Sequence, residues 1–119
     1  MRLKLTPEIV AAAYAYLTEC EPFSKWNLPP AEDLTFRVSS SLKDFGFCVY
    51  PRIKSERPTI IISKKLIGST QLLMQILAHE MVHLYMFHHG ITDRGTHGPA
   101  FRKIAKRVCA IHGFDENFF

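Results

Sequence analysis

Long apolar runs are missing from this chain. No stretch approaches the eighteen or so consecutive apolar residues of a membrane-spanning helix, so no helical passage through a membrane is expected. Paired cysteines are missing too. Cys20, Cys48 and Cys109 are odd in number and far apart, with no Cys-x-x-Cys pair, which excludes a zinc ribbon or a redox dithiol of the usual spacing. Free thiols in a reducing compartment are the expectation. There is no low-complexity tract and no internal repeat. Nor does one sign of charge dominate: the net charge of +4 and pI near 9.1 are mildly basic, short of the dense clustering that marks a nucleic-acid binder.

What is present fits one domain spanning residues 1–119. At 13.7 kDa, with 47% hydrophobic and 22% charged residues, the chain can bury a core but cannot house a second module. One site and a monomer are expected. Arg2 and Lys4, followed by the apolar run Ile9 to Leu17, resemble an export signal. Against that, Thr6-Pro7-Glu8 supplies an N-cap, a first-turn proline and an acid, the opening of a globular helix. An intracellular place, cytoplasmic or nucleoid/nuclear, follows from the second reading.

The pattern along the chain is α+β. Val10, Ala13, Tyr14 and Leu17 recur at helical spacing between Thr6 and about Cys20. Pro22, Pro29 and Pro30 then forbid regular structure, with Trp26 expected to pin the loop to the core. Leu34 to Val38, Phe45 to Tyr50 and Thr59 to Ile62 are β-branched and aromatic, predicting about three strands of a small antiparallel sheet. Pro51 and Pro58 bracket a polar turn, Arg52 to Arg57, that would join the second and third strands. Gly68-Ser69-Thr70 starts a second helix and Gly90 stops it; a last helix runs from Gly98-Pro99 to about His112, before Gly113.

That second helix carries the chemistry. Between Leu72 and Phe87 its polar positions, apart from the Tyr85 hydroxyl, are Gln75, His79, Glu80 and His83. A helix so apolar should be central, and buried imidazoles and carboxylates are costly unless something satisfies them. His79-Glu80-Met81-Val82-His83 is the zinc-binding arrangement of metallopeptidases: two histidines four apart stack on one helix face and can reach one ion, while the glutamate points aside toward a bound water. A catalytic zinc usually takes three protein ligands. His88 and His89 rotate well off the metal face and read as exposed cations at the helix end. Asp93 is a possible third ligand, and His97 the favoured one. The loop from Gly90 to Thr96 is long enough to return to the metal face, and the dipole of the helix after Gly98 favours neutral imidazole. The metzincin extension is absent, since Met86 stands where its glycine belongs.

Leu77-Ala78-His79-Glu80-Met81-Val82-His83-Leu84-Tyr85, followed by Asp93-Arg94-Gly95-Thr96-His97-Gly98-Pro99-Ala100-Phe101, resembles the SprT-like metallopeptidases, the group that includes Spartan. Weaker similarity covers the first two strand segments. The resemblance implies a small zincin-like domain with a central His-Glu-x-x-His helix. His79, His83 and His97 would ligate one Zn2+, with Glu80 the catalytic base. Spartan-type members cleave proteins bound or crosslinked to DNA, and many carry a C-terminal zinc ribbon; this sequence has no ribbon cysteines, so the peptidase core carries over and DNA targeting does not.

The expected function is therefore a zinc-dependent endopeptidase acting on protein or peptide, with unfolded or DNA-associated proteins as candidate substrates. Tyr50, Tyr85 and Arg94 are candidates to help the oxyanion. An extended substrate could add to an exposed sheet edge, for which Thr59 to Ser63 is the natural choice, as it leads into the metal helix. Arg102, Lys103, Lys106 and Arg107 line the outward face of the last helix, where they are either solvated or in weak contact with DNA. The alternatives are a small DNA-binding protein with structural zinc and an inactive scaffold.

Overall fold

In the computed structural model, which describes residues 4–51, 53 and 56–119, the first helix α1 spans Pro7–Thr18. The Thr6 hydroxyl accepts from the Ile9 amide at 3.2 Å and Pro7 sits at the first position, so the expected N-cap forms. Val10, Ala13, Tyr14 and Leu17 are buried, and the Tyr14 hydroxyl donates to the Pro29 carbonyl at 2.6 Å, tying down the proline-rich loop. Trp26 anchors the same loop, stacked on Tyr85 at 4.4 Å between ring centroids and edge-on to Phe23. Of the residues weighed above, Arg2 in the export signal, and Arg52, Lys54 and Ser55 in the polar turn, lie outside the described residues.

Three strands follow: β1 (Thr35–Ser39), β2 (Gly46–Val49) and β3 (Thr59–Ser63). The sheet is mixed, which corrects the antiparallel expectation. Its order is β1-β3-β2, with β3 antiparallel to β2 and parallel to β1. The reason lies in β3, Thr-Ile-Ile-Ile-Ser, whose Ile60 and Ile62 are fully buried. The most apolar strand gains most from a neighbour on each side, so β2 folds out to the far edge and the chain returns between its neighbours. A second correction follows at once. Thr59 to Ser63, read as an exposed edge, is paired on both sides; the edges are β1 and β2.

Helix α2 (Thr70–His88) crosses the sheet beneath β2 and β3, capped by the Ser69 hydroxyl, which accepts from the Leu72 amide at 3.1 Å. Leu73, Leu77, Ala78, Met81, Val82 and Leu84 are buried, so the helix is central as its composition requires. Gly46 permits the close packing on β2: a Cβ there would lie 2.8 Å from the Ile61 carbonyl oxygen and 3.3 Å from Ile76 Cγ2. Helix α3 (Pro99–His112) presents Phe101, Ala105, Val108 and Cys109 inward and ends at Gly113, which adopts φ 75° as a left-handed C-cap. A short turn at Glu116–Phe118 then folds the last residues back toward α2, where the Gln75 amide donates to the Phe118 carbonyl at 3.2 Å.

Candidate metal centre

Helical spacing puts His79 and His83 one turn apart on the same face of α2, and the loop after Gly90 brings His97 up to them. Their Nε2 atoms form a triangle: 3.3 Å from His79 to His83, 3.2 Å from His83 to His97 and 3.1 Å from His97 to His79. Such a triangle cannot satisfy itself by hydrogen bonding. Each nitrogen is either donor or acceptor, so two of the three must be alike and at least one contact opposes like roles. A cation resolves the conflict, since three neutral imidazoles aim lone pairs at one point. The edges also fit: bonds of about 2.0–2.1 Å to a tetrahedral ion place neighbouring ligand nitrogens about 3.3–3.4 Å apart. The three histidines are positioned to bind one metal ion.

Electrostatics favour the ligating form. Burial, reinforced by the neighbouring imidazoles, lowers His79 to about 3, with a weaker opposing effect from a hydrogen bond to the Phe119 backbone. Burial and His97 lower His83 to about 4. Both rings are neutral at neutral pH. Phe101, 1% exposed, floors the cluster: its ring lies 4.5 Å from His83, 4.7 Å from His97 and 5.0 Å from His79.

Glu80, 4% exposed, lies near enough to β2 for its charge to act on Cys48 and Tyr50, and burial raises its carboxyl to about 7. Two hollows flank β2. One, at its Gly46 end, is lined by Ile76, His79, Glu80, Phe118 and Phe119; the other, at its far end, by Tyr50, His83, Met86, Phe87 and Thr96. Tyr50 thus stands beside the triangle, stacked on Phe87, with its hydroxyl raised by burial first and then by Cys48 and Glu80. Burial likewise pushes the Cys48 thiol up to about 12, leaving it inert.

Other candidates fall elsewhere. Tyr85 packs against Trp26 and His89, and the Arg94 backbone amide donates to the carboxylate of Asp93. His89 is exposed, and its ring also hydrogen-bonds the Trp26 carbonyl at 3.1 Å. Asp93, the alternative ligand, does not join the triangle; its oxygens accept from the amides of Ala100 and Phe101 at 3.3 and 2.8 Å. Arg102, Lys103, Lys106 and Arg107 are exposed as expected. Sequence reasoning passed over Phe118 and Phe119, though Phe119 packs 5.4 Å from the His79 ring. Nothing in the local pattern of the last residues signals that contact.

Fold and site together define a small α+β fold whose central helix and following loop bring three histidines into position to bind a metal ion beside a sheet edge. The chain belongs to the SprT-like family, which it matches over residues 13–117, and with it has a metallopeptidase-like fold. Among curated proteins none matches the chain. No helix among the described residues is long and apolar enough to cross a membrane.

Proposed function

We propose that the protein is a zinc-dependent endopeptidase. The observation that carries this reading is the near-equilateral Nε2 triangle with a buried, raised carboxyl one residue along the same helix from His79. His79, His83 and His97 would hold the zinc, leaving a fourth position open, which is the ligand set of catalytic rather than closed structural sites. Bound there, zinc supplies Lewis-acid activation of a water and of a peptide carbonyl.

The chain's own residues do the rest. Glu80 accepts a proton from the attacking water and delivers it to the leaving amine. A carboxyl at about 7 suits both halves of that exchange, because it is neither a feeble base nor a reluctant acid near neutral pH. Strand β2 offers a free edge along which an extended peptide can pair. Such pairing reads backbone rather than side chains, so unfolded segments are the expected substrates. Of the three oxyanion candidates, Tyr50 lies within reach of the cleft, lining it beside His83.

A second reading, contact with DNA, is favoured by one observation: Lys103 and Arg107 flank a groove that also holds the Trp26–Tyr85 stack. Under it the protein acts on DNA-associated proteins, or binds DNA with zinc in a structural role. Glu80→Gln decides between enzyme and structural metal. Cleavage of an unfolded protein should fall about 10²–10⁴-fold with zinc content unchanged. Full cleavage by the variant would defeat the peptidase mechanism, and wild type that binds zinc yet cuts nothing, with or without DNA, would favour the structural role.

A further inference from the structure

Helix α2 holds His79 and His83 by its own regularity, but His97 stands on an irregular loop and is itself exposed. Ordering such a loop costs backbone entropy at every residue, so something specific must hold it. The start of α3 shows what does. Its N-cap is Gly98, which has no side chain to cap the helix, and Pro99 has no amide hydrogen to donate. Arg102 donates to the Gly98 carbonyl at 3.0 Å, leaving Ala100 and Phe101 as the unmatched donors of the first turn. The Asp93 carboxylate takes both, with the Arg94 amide as a third at 3.2 Å. A residue five positions before the N-cap therefore does the capping, and the chain between them closes into a ring with His97 at its rim.

Gly98 completes the ring. A Cβ there would lie 2.4 Å from Asp93 Oδ1 and 2.7 Å from the Arg94 carbonyl oxygen, so the carboxylate occupies the space any other residue would need. Gly95, at φ 74°, supplies the reversal that lets the loop turn back.

We infer that Asp93 and Gly98 form a clamp that locks the loop to the first turn of α3 and so sets the position of the His97 imidazole. Asp93 is a positioning residue: its carboxylate is not part of the triangle, and it acts through the backbone on either side of His97. The inference rests on the reading that the three histidines hold zinc, and it names the part of the site most easily loosened. A ligand on a loop is only as well placed as what supports it, and outer partners of metal ligands are commonly worth about 10–100-fold in affinity.

The test compares the full chain with Asp93→Ala, Gly98→Ala and Thr6→Ala. Thr6→Ala removes an equivalent cap from α1, away from the site, as a control for simple loss of helix stability. Zinc affinity by chelator competition and the visible absorption of the Co2+-substituted proteins report on ligation, and circular dichroism reports on folding. Both clamp variants should lose about 10–100-fold in zinc affinity and show altered cobalt bands. Thr6→Ala should lose thermal stability alone. If Asp93→Ala does not fold, Asp93→Asn, which keeps the side-chain shape but replaces one of the two accepting oxygens with an NH2 group that cannot accept, carries the comparison. Wild-type affinity and cobalt spectrum in a folded Asp93 variant would overturn the clamp, reducing Asp93 to an ordinary cap. Wild type that binds neither ion would instead overturn the metal reading beneath it.

Discussion

Two rings held neutral and one carboxyl held near neutrality set opposite demands on the metal-free protein. His79 and His83 sit at about 3 and 4 against an ordinary 6.5, because burial disfavours their cations. Between pH 6.5 and about 4 the unfolded chain therefore binds two protons there that the folded chain refuses, so stability falls as the pH falls. Glu80 works the other way: raised from 4.5 to about 7, it binds a proton in the folded state that the unfolded chain lacks in between, and so gains stability as pH falls through that window. Two protons against one leaves a net loss on acidification from pH 6.5 to 4.5. Urea unfolding of the metal-free protein should show it, and the decline should be steeper in Glu80→Gln, where the opposing group is gone. An equal or shallower slope in the variant would show that Glu80 does not titrate as its burial requires.

At the scale of elements, helix ends were legible and strand neighbours were not. Thr6, Ser69, Gly90, Pro99 and Gly113 each carry a local signal for starting or stopping a helix, and the helices begin and end there within a residue or two. Strand order has no such local mark. The alternation in Leu34 to Val38 and the isoleucines of β3 say that strands form, but which edges meet is decided by what each can bury after α2 docks, and this made β3 central and the sheet mixed. The free edge beside the metal centre is therefore β2, held against α2 through Gly46. Gly46→Ala should destabilise the fold by about 1–3 kcal/mol, the usual cost of overpacking, because the Ile61 carbonyl 2.8 Å away belongs to a paired strand and cannot easily yield. Urea midpoints at constant m measure it. A midpoint equal to wild type would mean that the strand shifts freely and that the close approach does not position the edge.

Across the whole molecule the site draws on α2, the loop before α3, strand β2 and the last residues, pieces far apart in the chain. The convergence of His79, His83 and His97 could be expected because two lie at helical spacing and the third just precedes a helix start. The closing segment was silent, since Phe118 and Phe119 reach α2 only through tertiary packing. Asp93, weighed only as the alternative to His97, has a capping role the sequence did not show for a related reason: the donors of α3, left bare by Gly98 and Pro99, reach it only once the loop has folded back. The central claim, one zinc held by three imidazoles from one helix and the loop that follows it, is tested most directly by zinc titration of wild type beside His97→Ala. The account predicts one equivalent bound by wild type and affinity weaker by more than about 100-fold in the variant. Equal stoichiometry and affinity in the two proteins would contradict it.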